Sequence, residues 1–413
     1  MPQHSQPLDL AEALARLKSQ LSKTPASHAR KLAHALYQTL ANDVLAPVDL
    51  PPFPASAMDG YAIRADDWHR QGLREFRCAG TSLAGHPFTG TIAPGECVRV
   101  FTGAAVPAGL DQILLQERCL NHAGDRVEFA DHNPDESYVR PVAHDIAKGH
   151  VLAQRGQRLT PFVLGSLNAA GVDSADVYQP LRVGVFSTGD ELVDPSVPPA
   201  ELQPGQIYDS NRATLLAFLN SDPRFQAIDL GRIADDAKQT REALAAASTS
   251  CEALLTSGGV SVGDADYVTG TIQTLGKLDI WRLNLRPGKP MAIGSIGSCA
   301  VMGLPGNPVS TIVTFLMVAR PALLAMAGVD DPQPLKVPAR LATPLGHQAG
   351  RMEFQRGHLE MLSTGLSVAH TGDQSSNRLS SFSRANCLIE VPKERDGLQA
   401  GEQVFTLPFD GLL

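Results

Sequence analysis

The chain has 413 residues, of which 43% are apolar and 19% are charged. At about 150 residues per domain this length predicts roughly three domains, with two or four also possible, and the apolar content excludes a chain that is disordered throughout. With 35 basic and 43 acidic residues the formal net charge is −8, which argues against a nucleic-acid-binding protein but is compatible with a local site for a small anion.

The six cysteines are too widely spaced for a Cys-x-x-Cys pair; they stand at 78, 97, 119, 251, 299 and 387. This spacing predicts reduced thiols in a cytoplasmic protein rather than a disulfide framework or a zinc site. The first ten residues have neither a basic head nor an apolar core, so we expect no signal peptide. The most hydrophobic stretch, 309–329, is interrupted by Arg320-Pro321 and predicts a buried helix rather than a membrane span.

The N-terminal residues predict two helices, because leucines at 10, 14, 17 and 21 and apolar residues at 29, 32, 36 and 40 recur at helical spacing. From 48 to 145, short β-like runs such as Gln112–Gln116 and Arg126–Phe129 alternate with Gly and Pro, which predicts an inserted β domain. Residues 146–178 contain a further β-like run and a short helix at Pro161–Ala170. We assign them, together with residues 1–47, to one helical and extended N-terminal domain.

Strands and helices alternate through residues 179–329, which predicts a doubly wound, mostly parallel sheet. The expected strands are 181–186, 225–233, 252–256, 279–285 and 299–302, and the expected helices are 210–220, 237–249, 264–276 and 308–327. Residues 330–413 lack a helical period and are punctuated by Gly, Ser and Pro, which predicts a C-terminal β domain. The predicted fold class is therefore a multidomain α/β plus β protein.

Three glycine-containing loops follow predicted strands of the parallel sheet, at 187–191, 256–259 and 303–308. The carboxyl ends of parallel strands meet at one edge of a sheet, where ligands bind. Glycine lets a ligand approach the backbone, and N–H groups at the start of a helix favour anions. One such loop is a common structural turn, but three in one sheet predict a site for phosphate or another oxyanion.

A fourth candidate is the basic turn 286–290, in which Arg286 and Lys289 flank Gly288. Arg282 lies four residues before Arg286, and both side chains would point the same way if residues 282–286 formed one strand. Such a cluster predicts a pocket for a multiply charged anion, while the alternative is a solvated basic strand end.

Acidic residues accumulate near the same loops, namely Asp190, Glu191, Asp264 and Asp266. Acids at helix starts are usually caps, which is the interpretation we favour for Asp264. Acids beside phosphate loops also hold Mg²⁺, which prefers oxygen ligands. Asp59 precedes Gly60 and could form a simple Asp-Gly turn.

A competing motif is Gly259-Val260-Ser261-Val262-Gly263, which matches the nucleophile elbow of serine hydrolases. An elbow serine sits directly after its strand, whereas residues 257–259 intervene here, so we disfavour a hydrolase. The chain contains neither a P-loop motif nor a dinucleotide-binding G-x-G-x-x-G, so the sequence supports neither a P-loop NTPase nor a Rossmann dehydrogenase.

Taken together, these stretches resemble the MoeA family of molybdenum insertases, which includes the E domain of gephyrin. The resemblance covers nearly the whole chain in the family's order. The matching stretches are PPFPASAMDGYAIRADD (51–67), FTGAAVPAG (101–109), FSTGDEL (186–192), GQIYDSN (205–211), LLTSGGVSVGDADYV (254–268), RPGKP (286–290), GLPGNPVS (303–310), FQRG (354–357) and SSFSRANCL (380–388).

The resemblance implies four domains, of which the third is similar to the molybdopterin-binding MogA and MoaB proteins. It implies a homodimer whose cleft combines the third and fourth domains of one subunit with the second domain of its partner. The implied reaction converts adenylylated molybdopterin and molybdate into molybdenum cofactor and AMP with Mg²⁺. It also implies a MogA-type adenylyltransferase and molybdoenzyme maturation proteins as partners, and neither nucleic acid nor a membrane.

The resemblance also implies roles for individual residues. The catalytic positions are Asp59, Thr102, Glu191, Asp235 or Asp236, and Asp266, with Glu191 and Asp266 as metal ligands. The molybdopterin and phosphate positions are Thr188, Gly189, Ser257, Gly258, Gly259, Ser261, Pro305, Gly306 and Asn307. The molybdate or anion positions are Arg282, Arg286, Lys289, Arg356 and Ser376.

The sequence departs from the family pattern in two places. Many relatives have lysine where Arg282 and Arg286 stand, which keeps the charge but changes its geometry. The acidic stretch before the third domain is altered at 140–145, where Asp145 alone clearly matches. The alternative function is a non-catalytic molybdopterin carrier or scaffold, and the retained acidic residues argue against it.

Overall fold

The computed structural model describes residues 7–21, 25–131, 136–233, 236–259 and 267–412. The first elements of the chain are α1 (Leu10–Leu21), β1 (Ser27–Lys31) and β2 (Val44–Leu45). Short 3-10 turns occur at Leu32–His34, Gln116–Arg118, Pro199–Glu201, Leu379–Arg384 and Phe409–Gly411.

The inserted region is a β structure, as predicted, around one six-stranded sheet in the order β7-β4-β6-β5-β9-β8. Its elements are β3 (Ala55–Ser56), β4 (Gly60–Ile63), α2 (Ala65–His69), β5 (Glu75–Ser82), β6 (Glu96–Val100), β7 (Gln112–Leu115), β8 (Cys119–Ala123), β9 (Arg126–Phe129) and β10 (Val139–Arg140). An aromatic core of Trp68, Phe76 and Phe129 fills one face of this sheet. Aromatic contacts of this kind bury large apolar areas, which explains how so small a sheet holds together.

The chain then returns to its N-terminal region through β11 (Val151–Ala153), α3 (Pro161–Ala169) and β12 (Ser174–Tyr178). The second N-terminal helix that we predicted is wrong, because residues 27–31 form β1 and pair antiparallel with β12. A partner strand distant in sequence overrides the local helical period. Leu36, which the predicted helix would bury, is 42% exposed.

The central region contains the predicted doubly wound sheet, with strand order β16-β13-β17-β21-β20-β18. Its elements are β13 (Leu181–Thr188), β14 (Leu192–Val193), β15 (Ile207–Tyr208), α4 (Ser210–Asn220), β16 (Phe225–Ile233), α5 (Ala237–Ser250), β17 (Ala253–Ser257), α6 (Tyr267–Leu275), β18 (Lys277–Arg282), β19 (Leu285–Arg286), β20 (Pro290–Ile296), β21 (Cys299–Leu304), α7 (Pro308–Thr314) and α8 (Arg320–Met326). The first four strands of the sheet are parallel, β20 runs antiparallel to them, and β18 pairs antiparallel with β20. One core cluster packs α1, α4, α7 and α8 on one face, and a second packs α5 and α6 on the other.

The predicted long helix forms as α7, a π-helical stretch at Phe315–Ala319 and α8. By length and composition Pro308–Met326 could span a membrane, but 89% of its most apolar window is buried within the protein. The prediction of a buried helix is therefore confirmed.

The predicted strand 279–285 is wrong at its C-terminal end, because β18 ends at Arg282 and β19 belongs to another sheet. The strand β20, which we did not predict, starts immediately after the basic turn and pairs with β18. The shared strand face expected for Arg282 and Arg286 therefore does not exist. The chain leaves the central sheet between these two residues.

The C-terminal region is a β domain, as predicted, formed by β22 (Val337–Leu341), β23 (Met352–Leu362), β24 (Gly365–His370), β25 (Cys387–Val391) and β26 (Gln403–Pro408). The sheet runs β19-β23-β24-β22-β26-β25, and a further pairing of β23 with β25 closes it into a small barrel. Closure leaves no free edge among these five strands. The strand β19 links the barrel to the central region.

A buried ion cluster connects α8 to the start of β16. The Asp222 carboxylate accepts hydrogen bonds from Arg224 at 2.8 and 2.5 Å and lies 3.6 Å from Arg320. Asp222 is 2% exposed. Burial alone would raise the pKa of Asp222, but the hydrogen bonds from Arg224 lower it below its ordinary value.

We expect Asp222→Asn to lower the free energy of unfolding by about 3–5 kcal/mol, because the change leaves buried guanidinium groups without their carboxylate. Urea denaturation monitored by circular dichroism measures the effect. The matched control is Asp173→Asn, which removes an ion pair with Lys31 whose Asp173 side chain is 79% exposed and should cost less than about 1 kcal/mol. Equal effects of the two changes would contradict this prediction.

Candidate functional site

A cleft of about 1080 Å³ opens at the carboxyl ends of β13, β17 and β21. The three glycine-containing loops predicted from the sequence line it together, because parallel pairing places their strand ends at one edge. The basic turn 286–290 and the loop 374–377 of the C-terminal domain line the cleft as well. The cleft thus lies between the central sheet and the C-terminal domain.

The loop after β17 requires glycine. Gly259 has a φ of 66°, and a side chain there would come within 2.7 Å of Val268. Gly258 lies close to the loop after β13, at a position where a Cβ atom would be 3.1 Å from the carbonyl oxygen of Thr188. The backbone of this loop is therefore exposed to a ligand without intervening side chains, which suits a phosphate.

Asn211 joins two of the loops and is not among the site residues predicted from the sequence. Its side-chain amide donates 2.7 Å hydrogen bonds to Ser257 Oγ and to the Gly306 carbonyl. Asn211 is the second residue of α4, whose N-cap Asp209 accepts a 2.6 Å hydrogen bond from Ser187 Oγ. The sequence signal for the role of Asn211 is the run Asp209-Ser210-Asn211 at a predicted helix start. An Asp at the N-cap fixes the first turn of the helix and so the direction of the neighbouring side chains.

The loop after β21 carries the contact with the C-terminal domain. Asn307 is the N-cap of α7, and its amide donates to Ser376 Oγ at 3.3 Å. The Val309 backbone N–H donates to the Ser376 carbonyl at 3.1 Å. These bonds hold the Ser376 hydroxyl beside the start of the helix.

The basic turn approaches α7 closely. Gly288 has a φ of 119°, and a Cβ atom there would lie 2.3 Å from Thr314 Oγ1. Glycine at this point lets Lys289 reach the cleft, and Lys289 forms no ion pair among the residues that the structure describes. An unpaired cation at a cleft of this kind is suited to binding an anion.

Arg286 is oriented by a buried carboxylate. Its Nε lies 3.5 Å from Glu353 Oε1, and Glu353 is 3% exposed. The other oxygen of Glu353 forms a 2.6 Å contact with His347 Nδ1. Arg286 lines the cleft, whereas Arg282 is exposed at the end of β18 and does not line it.

The structure does not place Arg356 in the cleft, contrary to the expectation of an anion contact. The side chain is fully buried, with its guanidinium donating to Ser381 Oγ at 2.9 Å and to the carbonyls of Gln374 and Ser375, each at 3.2 Å. Burial lowers the pKa of Arg356 to about 10. Arg356 therefore positions the loop that carries Ser376.

Three further predicted residues, Asp236, Asp59 and Thr102, lie away from the cleft of their own chain. Asp236 caps α5, accepting a 2.8 Å hydrogen bond from the Gln239 N–H. Asp59 lies in the inserted domain and accepts 2.7 and 2.8 Å bonds from the N–H and hydroxyl of Thr102, which lower its pKa. The predicted residues Asp235, Ser261, Asp264 and Asp266 lie outside the described residues.

The residues of the cleft fit a magnesium ion bridged to a substrate. Glu191 is an exposed carboxylate in the cleft lining, whereas the neighbouring Asp209 is buried and bonded to Ser187 and Arg212. Within the described ranges, no three His, Cys, Asp or Glu side chains come together as a metal site. Mg²⁺ can be held by one or two carboxylates when phosphates and water supply its other ligands, and Glu191 is the exposed carboxylate among the described cleft residues that could serve.

We expect Asn211→Ala to loosen the loops after β17 and β21. Each lost hydrogen bond is worth about 1 kcal/mol, so amide hydrogen exchange at 256–259 and 304–307 should become roughly tenfold faster or more. The control is Asn220→Ala at the exposed C-terminal end of the same helix, which should leave both loops unchanged. Unaltered exchange in Asn211→Ala would show that this amide does not hold the loops.

Three family descriptions match consecutive parts of the chain. They are "MoeA N-terminal region (domain I and II)" over residues 8–171, "Probable molybdopterin binding domain" over 184–325 and "MoeA C-terminal region (domain IV)" over 338–409. The loops after β13, β17 and β21 all lie within the second of these matches. The contact between Asn307 and Ser376 joins the second to the third.

Known proteins resemble the chain over most of its length. A molybdopterin molybdenumtransferase of Haemophilus influenzae is 36% identical over 98% of this chain and all of its own, and one from a Nostoc species is 32% identical over 89% of this chain and 85% of its own. A crystal structure of the molybdopterin biosynthesis MoeA protein of Pyrococcus horikoshii superposes with a TM-score of 0.81 at 26% identity, covering 97% of this chain and all of that one. The chain therefore belongs to the MoeA family of molybdopterin molybdenumtransferases.

Proposed function

We propose that this protein inserts molybdate into adenylylated molybdopterin and releases AMP in a reaction that requires Mg²⁺. The observation that carries the proposal is the composition of the cleft. One wall consists of glycine-containing loops at the ends of parallel strands, and the other presents Arg286, Lys289 and Ser376. These walls suit a ligand with phosphate groups and a second, separate oxyanion.

The loop wall is suited to the phosphoanhydride of the adenylylated substrate. Gly259, Gly306 and Asn307 line the cleft in the loops after β17 and β21, and their backbone N–H groups can bind phosphate oxygens. Asn211 keeps these two loops together, so the donors are preorganised before the substrate arrives. The role of this wall is to bind and orient the phosphates.

The basic wall is suited to molybdate, a tetrahedral dianion. Lys289 and Arg286 supply positive charge, and the Ser376 hydroxyl supplies a hydrogen bond. The ion pair with buried Glu353 limits the rotamers of Arg286, and Arg356 holds the backbone on which Ser376 sits. Binding at this wall would place the oxyanion beside the pterin dithiolene.

Glu191, together with Asp266, would hold Mg²⁺. When bound, the ion would supply positive charge to the phosphoanhydride and so stabilise the negative charge that develops on the leaving AMP. The exposed carboxylate of Glu191 faces the cleft beside the loops that would hold the phosphates. A MogA-type adenylyltransferase would supply the substrate, and molybdoenzyme maturation proteins would receive the product.

A homodimer would account for the position of Asp59 and Thr102. Neither residue lines the cleft of its own chain, so we propose that the inserted domain of a partner subunit brings them there. Support comes from large apolar side chains exposed on the N-terminal region, with Phe162 being 87% exposed. A large apolar side chain as exposed as Phe162 is suited to burial in a protein–protein interface. The other large exposed apolar side chains of this region are Leu36, Tyr37, Leu45 and Val151.

We expect AMP release from purified adenylylated molybdopterin to require both molybdate and Mg²⁺. Lys289→Ala should raise the molybdate concentration needed for half-maximal rate roughly 10- to 100-fold, because a charged hydrogen-bond donor is lost. The control Lys277→Ala removes an exposed lysine that does not line the cleft and should behave as the wild type. Tight binding of the substrate without AMP release at any molybdate concentration would instead support a carrier.

Mixed dimers test whether the partner completes the cleft. At a molybdate concentration that half-saturates the wild type, the Asp59→Ala and Lys289→Ala homodimers should each lose most of their activity. A heterodimer of the two variants should regain about half of the wild-type activity per dimer, because one of its clefts combines an intact Lys289 with the intact Asp59 of the other subunit. A heterodimer as inactive as its parents would show that Asp59 does not act across a subunit interface.

A further inference from the structure

A second polar cavity lies at the opposite edge of the central sheet from the cleft. It measures about 680 Å³ and is formed where the loop 154–158 meets the residue before β16 and the chain after α8. The cleft occupies the carboxyl ends of the parallel strands, whereas Arg224 directly precedes the amino end of β16. The two sites share no lining residue.

Arg158 lines this cavity without an ion-pair partner among the described residues. Its guanidinium lies 4.4 Å from the centre of the Tyr37 ring, and its buried Nε has no hydrogen-bond acceptor among the described residues. The ion pairs found within the described part of the chain do not include Arg158. A buried donor left unpaired is costly, so an acceptor from outside the chain would be stabilising.

The charges around Arg158 do not balance. Arg224 lines the same cavity, Arg320 lies behind it, and both share the single carboxylate of Asp222. Burial and repulsion from Arg224 lower the pKa of Arg158, and burial lowers the pKa of Arg320 to about 10. Three guanidinium groups around one carboxylate leave two positive charges uncompensated.

The acidic residues at the rim of the cavity do not neutralise this excess of positive charge. Asp330 lies 3.6 Å from Arg155, so these two rim charges neutralise each other. The Lys18 ammonium donates to the Asp330 carbonyl at 3.3 Å and adds positive charge nearby. Asp331 lines the exposed mouth, where water screens its charge.

We propose that this cavity binds a phosphate dianion, held by the free donors of Arg158 and Arg224. A guanidinium presents a planar fork of N–H groups that matches two oxygens of a tetrahedral anion. Arg158 belongs to the N-terminal region and Arg224 to the central region, so the bound anion would fasten the two together. The site does not depend on the proposed transferase reaction.

To test this proposal, the full chain is titrated with inorganic phosphate at constant ionic strength. Calorimetry measures the heat of binding, and thermal denaturation measures the unfolding temperature. Phosphate should raise the unfolding temperature of the wild type, because a ligand that binds the folded state stabilises it. Arg158→Gln should bind phosphate at this site at least tenfold more weakly. The Lys289→Ala background weakens anion binding at the basic wall of the cleft, and Arg241→Gln, at an exposed arginine of α5 that does not line the cavity, serves as the matched control that keeps the response.

The unfolding temperature of Arg158→Gln in phosphate-free buffer distinguishes a phosphate-binding role of Arg158 from a structural role. In phosphate-free buffer, Arg158→Gln should unfold at the same or a higher temperature than the wild type, because it removes a repelled and partly buried charge. An equal loss of stability with and without phosphate would mean that Arg158 serves only packing, and would overturn the proposal. A phosphate response that vanishes in Lys289→Ala but persists in Arg158→Gln would overturn it as well.

Discussion

The site depends on the parallel pairing of β13, β17 and β21 in one register. Parallel strands end at the same edge, so loops separated by more than a hundred residues become neighbours without any contact between their side chains. Asn211 then fixes the spacing of two of these loops through hydrogen bonds to Ser257 and Gly306. The arrangement of the phosphate donors is thus a property of the sheet, refined by a single amide.

The second wall of the cleft comes from a closed barrel rather than from the sheet. The strand β19 pairs with β23, so the basic turn that follows it is held between the two regions. Buried Arg356 and Glu353, both on β23, act behind this wall on the Ser376 loop and on Arg286. A change in the orientation of the barrel would therefore move Arg286 and the Ser376 loop together.

Positively charged side chains cluster at both edges of the central sheet, but the two clusters differ in how far nearby carboxylates compensate them. At the carboxyl edge, Lys289 and Arg286 face a cleft whose other wall also favours anions. At the amino edge, Arg158 and Arg224 face a smaller cavity and are compensated in part by Asp222. A net charge of −8 conceals both sites, because electrostatic recognition depends on local clusters rather than on the total.

Local patterns in the sequence determined the glycine loops, the family and, apart from β20, the alternation of strands and helices in the central region, because strand and helix periods and turn residues act over a few positions. The tertiary structure alone decided that residues 27–31 form a strand, since β12 lies about 150 residues away. It also separated Arg282 from Arg286 and moved Arg356 from the cleft to a supporting position. Whether an arginine binds a ligand or a backbone carbonyl depends on which distant segment packs against it, and no local pattern encodes that contact.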